Sequence, residues 1–117
     1  MLALALSGGC GPSVPPLDVD DTRGNTLDVV DAHLGQESTL IVQDLSVLVD
    51  AEPTYGSVAS SPEEWLIVAA CADTDVIDTA TDVEVGVIPD RLATPSIHEK
   101  IRANEYLEAI GSCASFQ

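Results

Sequence analysis

The sequence predicts a small α+β domain with a mostly antiparallel sheet of three to four strands, one packed helix in β-α-β-β-β order, and a C-terminal helix. A chain of 117 residues has room for one small domain. Because 45% of the residues are hydrophobic, disorder throughout is excluded despite a net charge of −16. The apolar residues fall mainly in short runs of β type, and helical spacing occurs in two places.

The first half of the domain is predicted to contain a strand, a helix and a second strand. Residues 17–20 alternate apolar and acidic side chains, which indicates a short edge strand. A helix of about two and a half turns is expected between an N-cap at Asn25 and a stop at Gly35. Its apolar stripe consists of Leu27, Val30 and Leu34. The Val-, Leu- and Ile-rich residues 39–49 predict a long strand, or a strand with a bend at Asp44.

The second half is predicted to contain two strands and a helix after a loop over residues 50–62, which is rich in Pro, Gly and Ser. The mostly apolar residues 64–71 predict a central, buried strand. Strict alternation over residues 81–88 predicts a half-exposed strand with an acidic outer face. A capping box at Ser96 and a stop at Gly111 bound the C-terminal helix. Its apolar stripe consists of Ile97, Ile101, Ala103, Tyr106, Leu107 and Ile110.

The amino terminus has the features of an export signal. Alternating Leu and Ala over residues 1–6 lead into Ser7-Gly8-Gly9-Cys10, which resembles the lipobox of bacterial lipoproteins. The resemblance implies that Cys10 is lipidated and that the Pro-rich residues 11–16 are a spacer. The alternative is an apolar tail with an incidental cysteine. The predicted organisation is a truncated signal and spacer over 1–16, a domain over 17–89, and a helical extension packed on it over 90–117.

The other two cysteines form an even pair. If Cys10 carries lipid in an oxidising compartment, Cys71 and Cys113 are expected to form a disulfide. The chain-entropy estimate for closing that loop is about 4 kcal/mol at most. The alternative is two buried free thiols.

The order of elements over residues 17–89 resembles the PASTA domain of bacterial penicillin-binding proteins and receptor-type serine/threonine kinases. The similarity includes a subset of secreted actinobacterial PASTA-like domains. The matching segments are Leu17-Asp18-Val19, Gly24-Asn25-Thr26-Leu27, Glu64-Trp65-Leu66-Ile67-Val68 and Asp82-Val83-Glu84-Val85-Gly86-Val87. This resemblance implies a non-catalytic envelope module that binds muropeptides, stem peptides or β-lactam-like ligands, or that serves as a spacer.

Charge and motifs exclude several function classes. Twenty acidic residues against four basic ones repel phosphate backbones, so nucleic-acid binding is not expected. No nucleophile–base, phosphate-loop or zinc-protease motif is present, and neither His33 nor His98 has a catalytic pattern around it. The sequence therefore predicts a protein that is not an enzyme, without a cofactor, located outside the cytoplasm as a lipid-anchored or secreted protein.

Two sets of residues are candidates for ligand binding. A muropeptide or the basic face of an envelope protein is expected to meet Trp65, Tyr55, Glu63 and Glu64, although Trp65 could instead be a packing anchor. Carboxylate oxygens are the ligands that Ca²⁺ prefers, and two acidic loops supply them. The loops contain Asp18, Asp20 and Asp21, and Asp73, Asp75 and Asp78, which could equally be solvated turns.

Three functions remain open on these grounds. The first is binding of peptidoglycan fragments by a lipid-anchored domain. The second is a protein-interaction or structural lipoprotein without a small-molecule ligand. The third is a Ca²⁺-binding acidic module.

Overall fold

The structure, a computed structural model, describes residues 17–55, 61–79 and 81–111. The helices are α1 (Leu27–Asp31) and α2 (Pro95–Arg102). The strands are β1 (Leu17–Asp18), β2 (Leu40–Asp44), β3 (Trp65–Ala72), β4 (Val76–Ile77) and β5 (Val83–Pro89). The predicted α+β class is confirmed. The signal-like segment, Cys10 and Cys113 lie outside the described residues, and the predicted division into segments stays a prediction.

The main sheet has three strands in the order β2-β5-β3. Strand β3 runs antiparallel to β5, whereas β2 runs parallel to it. Strands β1 and β4 form a separate antiparallel pair. The prediction that residues 64–71 form the central strand was wrong, because β3 lies at an edge. An edge strand can be as apolar as a central one when both of its faces are covered, as they are here.

Strand β5 is buried on both faces, so the prediction of a half-exposed strand with an acidic outer face was also wrong. All seven of its residues are buried, and Glu84 is only 4% exposed. Alternation along a strand separates two faces without showing which of them meets water. The C-terminal segment covers the second face, since Ile101 and Ile110 belong to the core on that side.

Two apolar cores lie on opposite faces of the sheet. One packs α1 and the β1–β4 pair against Trp65, Ile67 and the three valines of β5. The other packs the C-terminal segment against Leu66, Val68, Ala69, Cys71 and Ile88. A β-bulge between Ile67 and Ala69 shifts the alternation of β3, which places both Val68 and Ala69 on the second face. Because both faces of β3 are covered by apolar cores, its sequence shows no alternation of apolar and polar residues.

The helices are shorter than predicted. Helix α1 has Thr26 as its N-cap and ends at Asp31. The predicted cap, Asn25, instead uses its backbone carbonyl to accept a hydrogen bond from Ile67 N of β3 at 2.9 Å. The predicted strand over residues 17–20 is likewise shorter, since a 3₁₀ turn begins at Val19.

The predicted C-terminal helix is interrupted. Thr94, rather than Ser96, caps α2 by accepting a hydrogen bond from Ile97 N at 3.2 Å. Helix α2 ends at Arg102, and Asn104 adopts a φ of 59°, a left-handed conformation that stops a helix. A 3₁₀ turn over Leu107–Ile110 then returns the chain to the sheet. None of the described helices is long and apolar enough to cross a bilayer.

Candidate functional site

Trp65 and Tyr55 contact each other, but the indole is not on the surface. Trp65 is 4% exposed and belongs to the core around α1, whereas Tyr55 is 39% exposed. Their ring centroids lie 5.1 Å apart at an interplanar angle of 81°, an edge-to-face contact. The sequence selected these two residues as candidates for one ligand-binding surface, and that role stays a prediction. The available surface at this position is the phenol ring and not the indole.

Asp44 holds the segment that carries Tyr55. Its Oδ2 accepts hydrogen bonds from the backbone N–H groups of Thr54 and Tyr55, both at 2.8 Å. Its Oδ1 accepts from Ser46 N at 2.9 Å and from the Ser46 hydroxyl. Burial alone would raise the pKa of Asp44, but the hydrogen bonds from Ser46, Tyr55 and Thr54 outweigh it and lower the pKa below its usual value. The strand predicted over residues 39–49 ends here, at the predicted bend.

Glu63 and Glu64 lie exposed at the start of β3. The Glu64 carboxylate accepts a hydrogen bond from Ser61 N at 3.0 Å, while Glu64 N donates to the Ser61 carbonyl at 2.9 Å. This reciprocal pair closes the turn that precedes Trp65. The Glu64 carboxylate therefore has a structural role, which leaves Glu63 as the better placed of the two to meet a ligand.

The two acidic loops meet through the backbone. Asp18 pairs with Val76 in the β1–β4 ladder, and Val19 N donates to the Asp75 carbonyl at 2.9 Å. The carboxylates themselves have separate partners: Asp73 accepts from Asp82 N at 3.2 Å, and Asp20 pairs with Arg23. In the part of the chain that the structure describes, no three acidic, histidine or cysteine side chains are grouped to hold a metal ion. The six predicted Ca²⁺ ligands, all within the described residues, do not form such a group. They are Asp18, Asp20, Asp21, Asp73, Asp75 and Asp78.

Cys71 is 2% exposed in the second core and takes part in a disulfide. Both other cysteines lie outside the described residues. The predicted pairing of Cys71 with Cys113 therefore stays a prediction.

One edge of the main sheet has no partner strand among the described residues. The two residues that flank β2 bond to β5. The Thr39 carbonyl accepts a hydrogen bond from Val83 N, and Leu45 N donates to the Val87 carbonyl, each at 2.8 Å. In a parallel ladder alternate residues face the partner, so the backbone groups of Leu40 and Val42 point away from β5. We call this the β2 edge. Large apolar side chains lie exposed beside it, namely Ile41 (39%), Val47 (64%) and Leu48 (49%).

A second surface feature surrounds Arg23, a residue that no sequence motif indicates. Two clefts of about 540 and 500 Å³ share Arg23 and Asp20. The first is lined by acidic residues, including Asp18 and Asp75, together with Asn104. The second, which we call the arginine cleft, is lined by Asp20, Arg23, Gly24, His98, Ile101 and Arg102.

No local signal in the sequence indicated the arginine cleft, because its basic residues come together only in the folded chain. The chain has four Lys and Arg and two His residues, and three of these six line one cleft. His98 is half-buried there. His33 is half-buried elsewhere, with Nδ1 2.8 Å from the Val29 carbonyl oxygen, so Nδ1–H donates within α1 and its following turn.

Comparison with known proteins gives no relative: no family model, curated protein or solved structure matches this chain.

Proposed function

We propose that this chain is a non-catalytic binding domain of the cell envelope that recognises a protein partner by adding an extended segment of that partner to the β2 edge. The observation that supports the proposal most directly is the β2 edge itself, which has no partner strand among the described residues and is flanked by the exposed side chains of Ile41, Val47 and Leu48. Outward N–H and C=O groups of an edge strand are a template for a further strand. The adjacent apolar side chains supply area for specific contacts.

Burial of Trp65 favours this function over binding of peptidoglycan fragments. Recognition of a sugar or a stem peptide at Trp65 needs an accessible indole face, and the indole is 4% exposed. The β2 edge needs no rearrangement, because the outward backbone groups of Leu40 and Val42 already face away from the sheet. The PASTA-like order of elements remains compatible with both functions.

The charge of the domain indicates the chemistry of the partner. Asp50 and Glu52 lie exposed just after Leu48, and Glu37 lies exposed just before β2. The whole chain carries a net charge of −16. A basic segment with alternating apolar residues is therefore the occupant that fits the edge. A second copy of the chain fits poorly, since pairing two β2 edges would bring two strongly negative domains together.

The location at the envelope rests on the amino-terminal residues. The lipobox-like segment ending at Cys10 supports a lipid anchor, and the Pro-rich residues 11–16 support a spacer between the anchor and the domain. Mass spectrometry of the protein purified from its native cell tests this part separately. An acyl chain on Cys10 supports the anchor, and an unmodified thiol contradicts it.

The binding mode is tested with a short peptide of alternating Lys and Val, compared with the matching peptide of Glu and Val. We expect the basic peptide to bind and to shift the amide signals of Leu40 and Val42 in NMR spectra. Val42→Pro removes one outward N–H without removing a β5 ladder bond and should weaken binding. Val47→Lys should also weaken it, because it replaces an exposed apolar side chain with a charge that repels the basic peptide.

The matched control is Val76→Lys, the same change at an exposed valine on β4, away from the β2 edge. It should leave binding unchanged. Equal losses for Val47→Lys and Val76→Lys would show that charge alone drives the interaction and would contradict strand addition. A titration with soluble muropeptides is the other arm of the experiment. Saturable shifts of amide signals near Tyr55 with muropeptides, together with no shifts from the basic peptide, would favour the peptidoglycan-binding function instead.

A further inference from the structure

The guanidinium of Arg23 is largely buried and has few partners. The side chain is 17% exposed, and in the part of the chain that the structure describes its one ion pair is with Asp20, from Nη1 to Oδ1 at 3.1 Å. The Asp20 side chain is itself 86% exposed. Arg23 Nε, one of the guanidinium's nitrogen donors, is buried and has no hydrogen-bond acceptor among the described residues.

An under-paired buried charge is costly, which makes the position of Arg23 informative. Removing a cation from water is strongly unfavourable unless an anion and well-placed acceptors compensate it. An exposed carboxylate is screened by water and compensates poorly. The cleft beside the guanidinium is therefore a place where a further anion would be stabilised.

Helix α2 brings two more basic side chains to the same cleft. His98, Ile101 and Arg102 are spaced i, i+3 and i+4 and therefore share one face of the helix. That face lines the arginine cleft together with Arg23 and Gly24. Gly24 is anchored by a hydrogen bond from its N–H to the Ile67 carbonyl at 2.9 Å, which fixes the loop against the outer edge of β3.

We infer that the arginine cleft is a binding site for a small carboxylate. Arg23 and Arg102 supply two guanidinium groups, the residue type best matched to the two oxygens of a carboxylate. Ile101, 2% exposed, supplies an apolar wall that suits a carbon-bearing anion. The site lies on the β3 side of the sheet, opposite the β2 edge, and so is independent of the proposed protein-binding surface.

The charge of the cleft favours a monoanion over phosphate. The two guanidinium groups and the Asp20 carboxylate together leave one net positive formal charge. A carboxylate neutralises that charge. A phosphate dianion would exceed it in a protein whose net charge is already −16.

The test is a titration with sodium acetate at constant ionic strength, observed through the Nε–Hε signal of Arg23 and the amide signals of Gly24 and Ile101. We expect saturable shifts of all three. Arg102→Gln, at an exposed position, should keep the fold and weaken acetate binding about tenfold through loss of a charge-assisted hydrogen bond. Arg91→Gln removes an exposed arginine outside the cleft and should change nothing.

Arg23→Gln should abolish the response, with the amide spectrum confirming that the domain stays folded. If this variant does not fold, Arg102→Gln decides the question. Shifts that grow linearly without saturation, or an unchanged affinity in Arg102→Gln, would overturn the site. Sodium phosphate serves as the second titrant: tighter binding of phosphate than of acetate would overturn the assignment to carboxylates.

Discussion

The backbone N–H of Tyr55 donates to the carboxylate of Asp44 at 2.8 Å, so the residue that ends β2 also positions the ring that contacts Trp65. The same carboxylate closes the turn after β2 through Ser46 and holds Thr54. One side chain thus links the end of the β2 edge to the cover of the first core. This link matters for the proposed function, because loss of the Asp44 hydrogen bonds would remove the contacts that hold the turn carrying Val47 and Leu48.

The first prediction concerns Asp44→Asn and pH. An amide cannot accept all the hydrogen bonds that the carboxylate accepts, so we expect a loss of roughly 1–2 kcal/mol in the free energy of unfolding at neutral pH. The estimate is modest because the group is only half-buried. Chemical denaturation of the wild-type and variant proteins across a pH series measures the effect.

The pH dependence follows from the lowered pKa of Asp44 in the folded state. Its stabilising contribution is fully present above the ordinary Asp pKa, about 3.9, and is lost as the pH falls from there through the lower folded value. The difference between wild type and Asp44→Asn should therefore shrink in acid. Asp31→Asn, at an exposed position, is the control and should show no such convergence. A difference that stays constant down to the acid limit would contradict this role.

The second prediction concerns Tyr55 as the cover of Trp65. Tyr55→Ala removes the edge-to-face ring contact and should cost about 0.5–1.5 kcal/mol in stability. Because Trp65 is the chain's single tryptophan, its fluorescence reports directly on exposure, and we expect a red shift. Tyr55→Phe keeps the ring and should preserve both stability and emission. A red shift in the Phe variant would instead assign the effect to the hydroxyl.

Local patterns in the sequence were enough to predict the fold class and strands β1, β2, β3 and β5, but residues 72–81, which contain β4, were predicted to be a loop. The apolar run from Trp65 and the alternating run from Val83 both form strands, because β-branched and apolar runs of this length favour extended backbone. The position of each strand in the sheet was not predictable in the same way. It depends on β2 pairing in parallel with β5 across about 40 residues, which no local pattern specifies.

The candidate sites, like the positions of the strands, depend partly on tertiary contacts that no local pattern specifies. The sequence selected Tyr55 and Trp65 together as candidates for ligand binding, but it did not indicate the hydrogen bond from Tyr55 N to Asp44, a residue 21 positions before Trp65. The arginine cleft joins a loop at Arg23 to a helix about 75 residues later. Each half looks ordinary alone, and only the tertiary fold brings them together.

The third prediction concerns Gly86, which lies on the second face of β5. A Cβ at this position would lie 3.0 Å from Ile110 Cγ2 and closer still to Leu45 Cδ1. Gly86→Ala should therefore cost about 1–3 kcal/mol through overpacking, although alanine normally suits a strand better than glycine. Thermal or chemical unfolding measures the loss.

A double-mutant cycle with Leu45→Ala identifies the cause of that loss. If the clash with Leu45 is responsible, the double variant should lose less than the sum of the two single variants. Gly24→Ala is the matched control: a Cβ at that position would have no neighbour within 4 Å, but the φ of 86° disfavours alanine. Its cost should simply add to that of Leu45→Ala. Additive losses in the Gly86 cycle would contradict the steric explanation.

The last prediction concerns the buried acid on β5. Glu84 is 4% exposed, its Oε2 accepts a hydrogen bond from Gln43 Nε2, and its Oε1 has no hydrogen-bond partner among the described residues. An unpaired buried carboxylate oxygen costs stability, so Glu84→Met should leave the free energy of unfolding unchanged or raise it by roughly 1–4 kcal/mol. Gln43→Met should instead lower it by about 1–3 kcal/mol, because the carboxylate then loses the donor that the structure gives it.

The combination of the two changes separates these effects. Adding Glu84→Met to Gln43→Met should recover most of the stability that Gln43→Met loses, because the buried charge is then gone. Glu99→Met, an exposed acid on α2, controls for the general effect of removing one negative charge from a strongly acidic chain. If Glu84→Met is the more damaging of the two single changes, the carboxylate stabilises the fold through the Gln43 contact, and the assignment of a net cost to its burial is wrong.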